Sequence, residues 1–161
     1  MKISILGYVG SGKTYISNYI SEMKSVHVLH LDVVKFDKEW KAIDDSLVLP
    51  IVSEFMSKDD WIIDGYYKTL LLEERLEKAD MIILMLLPRL LCFARAFKRR
   101  KSRKKEGYKN DFNWWFVKFA LFGCRSKERQ RTYAEIVERY KDKTVVLKTR
   151  KQVANFMETI K

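Results

Sequence analysis

The sequence predicts an α/β fold of three layers (α/β/α), in which helices cover both faces of a five-stranded, mainly parallel sheet. Strand-like apolar runs alternate with helical patterns along the whole chain. The runs lack the polar alternation of a half-exposed strand, which is typical of parallel strands covered on both faces. At 161 residues, nearly half of them apolar, the chain is long enough for one domain with its own core, and we assign residues 1–161 to it.

Three strands are predicted in the N-terminal half of the chain. Residues 2–6 form the first strand, which runs directly into a glycine-rich loop and then into a helix with one apolar face. Residues 26–32 form the second strand and residues 61–64 the third. Apolar residues at helical spacing predict a helix over 46–58, and a short helix over 69–79 follows the third strand.

The C-terminal half adds two strands and the least regular segment of the chain. The fourth strand covers residues 81–87, and a long helix begins at Pro88, because proline suits the first helical turn. Residues 101–125 have the least regular pattern, and we assign them as a lid-like insertion, part of a helical, basic lid. A helix, a fifth strand at 144–147 and a closing helix complete the alternation, which favours right-handed crossovers between parallel strands.

Positive charge is concentrated in one segment. The net charge is +11, and residues 95–105 (RAFKRRKSRKK) hold eight basic residues and no acidic one. Without these eight charges the net charge falls to +3, so the basicity is local. It predicts that something anionic meets this segment.

No feature of the sequence predicts export or membrane insertion, so we expect a soluble, cytoplasmic protein. Glycine breaks the N-terminal apolar run too soon for a signal peptide. The apolar run at 81–93 is shorter than a bilayer span and includes Pro88 and Arg89. Cys92 and Cys124 lack metal or redox spacing, and we expect both to be small buried hydrophobes. The oligomeric state is left open.

The segment GYVGSGKT matches the phosphate-binding pattern G-x-x-x-x-G-K-[ST] in full, between a predicted strand and a predicted helix. Its glycines let backbone N–H groups converge on phosphate oxygens, Lys13 supplies positive charge to the terminal phosphates, and the Thr14 hydroxyl ligates Mg²⁺. The pattern therefore predicts binding of a nucleoside triphosphate. The residues expected to contact it are Gly7, Val9, Gly10, Ser11, Gly12, Lys13 and Thr14.

Other features narrow the class of nucleotide-binding protein. The N-K-x-D and D-x-x-G motifs of GTPases do not occur in the sequence, and no transporter ATPase signature is present. The chain is also too small for a helicase core. The class that fits has a compact phosphate-loop domain, a flexible basic lid and a second substrate, and it transfers phosphoryl groups.

Two aspartates end predicted strands, Asp32 the second strand and Asp64 the third. Ligands of open parallel sheets bind beyond the carboxyl ends of the strands. A carboxylate placed there can hold Mg²⁺ through water or accept a proton from an attacking hydroxyl, and a plain cap or turn is the alternative. His27 and His30 fall on opposite faces of the second strand, so we expect ordinary, partly buried histidines and not paired ligands.

Four arginines are candidates for stabilising a transferred phosphoryl group. Arg95 and Arg99 lie four residues apart on one helix, a spacing at which both can reach one anion, and Arg125 and Arg129 repeat this spacing. Arginines of a closing lid neutralise the charge that develops on the phosphoryl oxygens and exclude water. The alternative is that these arginines are solvated surface charges.

The pieces GYVGSGKT, VLHLD, WIIDGYY, MIILMLLPR and YKDKTVVLK occur in this order along the chain. Together they resemble the DNA topology modulation proteins, which are FlaR-related, adenylate-kinase-like P-loop proteins of bacteria. The resemblance covers nearly the whole chain. It implies a P-loop, nucleoside-kinase-like fold that uses ATP and Mg²⁺.

Two of these pieces imply roles for the strand-end aspartates. WIIDG is similar to the third-strand motif of adenylate kinases, whose aspartate holds the water shell of Mg²⁺, which implies a metal role for Asp64. VLHLD resembles the second-strand motif of several small-molecule kinases, whose aspartate faces the acceptor, which implies that role for Asp32. Adenylate kinases continue with phenylalanine, proline and arginine after the glycine, whereas this chain has Tyr66 and Tyr67 after Gly65, so their nucleotide-acceptor contacts are not carried over.

The main hypothesis is an ATP-dependent kinase, or an ATPase, with an unidentified small-molecule or nucleotide acceptor. The lid and the P-loop supply the charge for phosphoryl transfer, and the strand ends supply the carboxylates. The residues expected to act in catalysis are Lys13, Asp32, Arg95, Arg99 and Arg129, with Thr14 and Asp64 at the metal.

The alternative hypothesis is an ATP-regulated DNA-binding or topology modulation protein without kinase turnover. Basic charge interleaved with Trp114, Trp115, Phe116 and Phe119 is what binding to single-stranded nucleic acid needs. The same segment also permits helix packing, because Trp114, Val117 and Leu121 share one helical face. A third, weaker alternative is an interfacial membrane anchor formed by this segment.

Overall fold

The computed structural model describes residues 1–39, 41–105 and 114–160, without the side chains of residues 100–105 and 115. Five strands lie in these ranges: β1 (Lys2–Gly7), β2 (Val28–His30), β3 (Trp61–Asp64), β4 (Met81–Met85) and β5 (Thr144–Leu147). They form one sheet in the order β2-β3-β1-β4-β5, and every adjacent pair is parallel. The predicted five-stranded parallel α/β fold is therefore confirmed.

Helices alternate with the strands along the chain, as the apolar periodicity predicted. They are α1 (Lys13–Lys24), α2 (Leu31–Lys35), α3 (Asp45–Met56), α4 (Leu72–Lys78), α5 (Arg89–Lys105), α6 (Trp114–Leu121), α7 (Lys127–Arg139) and α8 (Arg150–Thr159), with short 3₁₀ turns at Gly123–Arg125 and Lys141–Lys143. Within the described ranges, no helix is both long enough and apolar enough to cross a bilayer.

The central strand β1 lies between β3 and β4 and is buried along most of its length. Ile3, Ile5 and Leu6 are fully buried, and burial of a side chain of this size stabilises a fold by about 1.5–3 kcal/mol. Since the strands are parallel, their carboxyl ends meet at one edge of the sheet. Asp64 pairs there with Ile5 on one side and with His30 on the other.

The second strand is shorter than predicted, which changes the position of Asp32. We expected a strand over residues 26–32, but β2 ends at His30 and Asp32 lies in the first turn of α2. The reason is the sheet register: β2 is an edge strand that pairs with β3, and β3 ends at Asp64 opposite His30. Among the described residues, no strand lies beside the chain beyond His30, and Leu31 is buried as the chain turns into the helix.

The segment assigned as a lid-like insertion is more regular than its sequence pattern indicated. Residues 101–105 continue α5, and α6 packs against α5 before the turn at Gly123–Arg125. Residues 106–113, which belong to the assigned lid, lie outside the described residues. The boundaries of 101–125 as a lid therefore remain a prediction, while the helical character of its described part is observed.

Both cysteines are buried, as predicted. The Cys92 thiol donates to the Leu87 carbonyl at 3.5 Å, and the Cys124 thiol donates to the Ala120 carbonyl at 3.3 Å. Both are free. Burial raises the pKa of the Cys92 thiol above its ordinary value, against the opposing charge of Arg125. The two cysteines therefore act as small core residues.

Candidate active site

The P-loop, residues 7–14, connects the end of β1 to the start of α1. Gly10 and Gly12 have φ angles of 74° and 98°, a left-handed backbone that glycine adopts without steric cost. Gly10 also lies directly against α5, since a Cβ added there would be 2.1 Å from the Cys92 carbonyl oxygen. The predicted order of strand, glycine loop and helix is thus present, and the loop is packed onto the helix that begins the basic segment.

Two cations contact the carbonyl groups of the P-loop. Lys13 Nζ donates to the Tyr8 carbonyl at 3.1 Å, and Arg95 Nη1 donates to the Ser11 carbonyl at 3.3 Å. Arg95 is also the nearest group to Gly12, with Nη1 3.4 Å from the position that a Cβ would occupy. The structure therefore brings the predicted lysine and one predicted arginine to the same loop, where the phosphates of a nucleotide would lie.

The Asp64 carboxylate lies beside the P-loop helix at the end of β3 and is only 3% exposed. Its Oδ2 accepts hydrogen bonds from Ser17 Oγ at 3.2 Å and from His30 Nδ1 at 2.9 Å. Burial by itself raises the pKa of this carboxyl, but the hydrogen bond from His30 and the charge of Lys13 outweigh burial, so the pKa lies below its ordinary value. Asp64 is therefore a carboxylate held ionised in a buried position.

His30 contacts the candidate site in a way that the sequence analysis did not predict. Its Nδ1 contacts Asp64, and its Nε2 lies 3.0 Å from Asn18 Oδ1 on α1. The hydrogen bond to Asp64 raises the pKa of His30 above its ordinary value against the effect of burial, and the charges of Asp64 and Asp32 add to the rise. His27, in contrast, is exposed. The expectation of a partly buried histidine is therefore confirmed for His30 and wrong for His27, while the two hydrogen-bond partners of His30 were not predicted.

The residues beside the P-loop fit a Mg²⁺ ion. Thr14 is in the first turn of α1, its side chain contributes to the lowered pKa of Asp64, and both residues offer oxygen donors. Mg²⁺ prefers oxygen ligands and, in nucleotide sites, takes one or two from the protein and the rest from phosphates and water. Among the described residues no group of three or more His, Cys, Asp and Glu forms a self-contained metal site. An ion here would depend on the nucleotide for part of its coordination.

Asp32 lies on a different side of the site and in a different environment. It is exposed on α2, and its Oδ1 accepts a hydrogen bond from the Tyr67 hydroxyl at 2.5 Å. Burial raises the pKa of Tyr67 far above its ordinary value, and the charge of Asp32 raises it further. The charge of Asp64 adds a smaller rise to the pKa of Tyr67.

A buried arginine holds the loop that carries Tyr67. Arg75 of α4 is fully buried, and its guanidinium donates to three backbone carbonyls at 3.0–3.1 Å, those of Gly65, Tyr67 and Leu70. Burial lowers the pKa of Arg75 to about 10. The segment between β3 and α4 therefore owes its shape to a residue that no sequence motif marked.

Two arginines of the second predicted pair stack on tyrosines around the site. Arg125 Cζ lies 3.7 Å from the centre of the Tyr8 ring, and its Nη2 donates to the Leu87 carbonyl at 2.7 Å. Arg129 Cζ lies 4.3 Å from the centre of the Tyr66 ring. These contacts connect the region of α7 to the P-loop and to the segment after β3.

Arg99, the remaining predicted arginine, is exposed one helical turn beyond Arg95 on α5. Of the residues predicted for catalysis, the structure places Lys13 and Arg95 at the P-loop, and it places Asp32 and Arg129 near the two tyrosines that follow β3. Val9 is half-buried and Ser11 fully buried within the loop. The predicted catalytic residues with these contacts therefore fall into two groups, one at the P-loop and one beside the two tyrosines.

Comparisons with known proteins show the fold class. No protein-family model and no curated protein matches the chain. Among solved structures, a shikimate kinase from Acinetobacter baumannii in complex with shikimate is similar, with a TM-score of 0.55 and 13% identity, over 99% of this chain and 89% of that one. A shikimate kinase from Aquifex aeolicus is also similar, with a TM-score of 0.50 and 17% identity, over 99% and 93% of the two chains. The chain therefore has the P-loop α/β fold of these kinases.

At such low sequence identity, the similarity to solved kinase structures shows the fold alone. The resemblance to the DNA topology modulation proteins stays a prediction, since no family model matches. The individual site residues also stay predictions, now with defined positions.

Proposed function

We propose that this protein is an ATP-dependent phosphotransferase that uses Mg²⁺ and phosphorylates a hydroxyl group of a small molecule. The observation that carries the proposal is a pair of carboxylates in opposite environments at one edge of the sheet. Asp64 is buried beside the P-loop with a lowered pKa, whereas Asp32 is exposed and already accepts a hydrogen bond from a hydroxyl. Phosphoryl transfer needs both: one group for the metal and one for the attacking hydroxyl.

The phosphate side, formed by the P-loop, Arg95 and Asp64, would bind the triphosphate. Lys13 would exchange the Tyr8 carbonyl for phosphate oxygens, and Arg95 would neutralise charge on the same oxygens. Thr14 and Asp64 would hold Mg²⁺, which supplies Lewis-acid stabilisation of the phosphate charge when bound. None of these roles needs a large movement of the backbone, because all the groups already lie around one loop.

The acceptor side, formed by Asp32, Tyr67 and Arg129, would bind the second substrate. Asp32 Oδ1 accepts a hydrogen bond from the Tyr67 hydroxyl, which shows that a hydroxyl group can reach this carboxylate. A substrate hydroxyl bound beside Asp32 would give its proton to the carboxylate as the substrate oxygen forms a bond to the γ-phosphorus and ADP leaves. Arg129 would add positive charge beside the incoming oxygen.

A phosphotransfer assay tests the proposal. The purified protein is incubated with labelled ATP, Mg²⁺ and a panel of hydroxyl-bearing acids, sugars, nucleosides and nucleotides. We expect one acceptor class to stimulate ADP release, with a loss of about 100-fold or more in Lys13→Ala, and in Asp32→Asn without loss of ATP binding. If no acceptor raises ADP release above background hydrolysis, the kinase proposal is wrong.

A second candidate function is ATP-regulated binding of single-stranded nucleic acid. Trp114 is 70% exposed and Phe122 is 59% exposed, and α6 packs against the basic helix α5. Exposed aromatic rings beside positive charge allow bases to stack while phosphates are neutralised. A fluorescence titration with a single-stranded oligonucleotide tests this candidate: we expect tighter binding at low salt, and its absence there excludes the function.

A further inference from the structure

His30 occupies a position that the proposed chemistry does not yet use. It is one of two histidines in the chain and lies at the end of the edge strand β2, opposite Asp64 in the parallel register. Each ring nitrogen has a defined partner: Nδ1 contacts Asp64 Oδ2 at 2.9 Å, and Nε2 contacts Asn18 Oδ1 at 3.0 Å. A histidine fixed at both nitrogens has a set ring orientation.

The hydrogen bonds to the Asp64 carboxylate are concentrated on one of its two oxygens. The hydrogen bonds from Ser17 Oγ and His30 Nδ1 both fall on Oδ2 of the carboxylate. Ser17 and Asn18 are neighbours on α1, the helix that the P-loop begins, and His30 is on β2. Two elements, α1 and β2, therefore donate to one oxygen atom of Asp64, and these two hydrogen bonds restrict the rotation of the carboxylate.

We propose that His30, supported by Asn18, is a positioning residue for the Mg²⁺ site: with Ser17 it holds Asp64 Oδ2, so that Oδ1 is presented to the water shell of the metal beside Thr14. This inference rests on the proposed function, because it requires the nucleotide and Mg²⁺ to bind at the P-loop. It assigns His30 no contact with the metal or the substrate. Its effect is on the orientation of Asp64.

Both ring nitrogens of this histidine make polar contacts, which packing alone does not require. The His30 side chain is partly buried, with about a quarter of its surface exposed. Removing it would leave the Asp64 carboxylate, which is almost fully buried, with fewer donors and a less defined rotation. Loss of such a supporting contact typically weakens metal binding by about 10–100-fold, while contacts that do not involve the metal are unchanged.

A binding experiment tests the role of His30 without any acceptor. The full chain is titrated calorimetrically with a non-hydrolysable ATP analogue, once with Mg²⁺ and once with EDTA, and the ratio of the two affinities is the metal-dependent gain. We expect His30→Ala to reduce this gain by about tenfold and to leave the affinity in EDTA unchanged. His30→Asn should recover part of the gain, because its amide can still donate to Asp64.

Two further variants separate positioning from folding. His27→Ala, at the exposed histidine, is the matched control and should keep the full gain. Asn18→Ala removes the contact to His30 Nε2, and because Asn18 is exposed the substitution should not disturb folding. We expect it to reduce the metal-dependent gain by less than His30→Ala does, and this result can be measured even if His30→Ala folds poorly.

The outcomes distinguish this inference from the proposed function. A normal metal-dependent gain in both His30→Ala and Asn18→Ala, with the gain lost in Asp64→Ala, overturns the role of His30 and leaves the phosphotransferase proposal intact. If the unaltered protein binds the analogue equally well with Mg²⁺ and with EDTA, the proposed role of His30 is also wrong. Failure of the unaltered protein to bind the analogue at all contradicts both.

Discussion

The two sides of the site are built in different ways. On the phosphate side, Ser11 and Ser17 are fully buried and Asp64 is nearly so, and their positions follow from the central strands and the first helix. On the acceptor side, Asp32 is exposed and Tyr67 is half-buried, and both lie on segments after the strands end. The phosphate side is therefore anchored in the folded core by buried residues, although Thr14 and Arg95 are exposed, whereas neither Asp32 nor Tyr67 of the acceptor side is fully buried.

This difference suggests that the two sides contribute differently to stability and to substrate specificity. A P-loop held by buried contacts suits a ligand that many proteins share, such as a nucleotide. Exposed side chains outside the core can change without a loss of core packing. Substitutions on the phosphate side should therefore destabilise the fold, and substitutions on the acceptor side should mainly change which molecule is bound. The exception is Arg75, which is buried but holds an acceptor-side segment in place.

The largest effect on stability is expected for Gly10→Ala in the P-loop. The φ angle of 74° is strained for alanine, and its Cβ would lie 2.1 Å from the Cys92 carbonyl oxygen, so α5 would have to move. We expect a loss of at least about 3 kcal/mol in the free energy of unfolding, measured by urea denaturation. Gly12→Ala is the matched control: its φ of 98° is also strained, but the nearest atom would be 3.4 Å from the new Cβ.

The free energy of unfolding of the Gly12→Ala variant should therefore fall by only about 1–3 kcal/mol, the cost of backbone strain without a steric clash. Equal losses in the two variants would mean that the contact between the P-loop and α5 does not stabilise the fold. The phosphate side would then be less firmly built than its burial indicates.

A loss of about 3 kcal/mol is expected for Arg75→Leu. The substitution removes the donor of three carbonyl groups, at Gly65, Tyr67 and Leu70, in a buried site where water replaces it poorly. Urea denaturation measures the loss. Arg131→Leu is the control, because Arg131 is exposed and forms an ion pair with Glu135 one turn along α7, and it should change stability by no more than about 0.5 kcal/mol. Similar values for the two arginines would contradict the role of Arg75.

The phosphate side was predictable from sequence because its signals are local. The GYVGSGKT pattern, the apolar run before it and the periodicity after it all lie within a short segment, and Asp64 ends a strand of four buried residues. These features do not depend on which strands pair. The structure accordingly places Lys13 and Asp64 at the same edge of the sheet, as expected from parallel strands.

The acceptor side was less predictable because it depends on pairing between distant segments. The end of β2 is set by the end of β3, so the turn into α2 at Leu31 could not be read from VLHLD alone. The partner of His30 follows from the same register. Arg75 donates to three backbone carbonyls, and such an acceptor has no signature in the sequence.

A smaller effect is expected for Tyr67→Phe on the acceptor side. The substitution removes the hydrogen bond to Asp32, but Asp32 is exposed and water can replace the lost donor. We expect the free energy of unfolding to change by no more than about 1 kcal/mol and the affinity for an ATP analogue to stay the same. A destabilisation as large as that of Arg75→Leu would show that the hydroxyl supports the fold, and the contrast between the two sides would fail.

The smallest effect is expected for Trp114→Ser at the start of α6. The sequence allowed Trp114, Val117 and Leu121 to pack as one helical face, but Trp114 is 70% exposed, whereas Val117 and Leu121 are half-buried. Loss of an exposed side chain should change the free energy of unfolding by no more than about 0.5 kcal/mol in urea denaturation. Val117→Ser, one turn along the helix, should cost more, because its burial contributes hydrophobic stabilisation. If Trp114→Ser costs as much as Val117→Ser, the tryptophan is a packing residue and is not available to stack on a base.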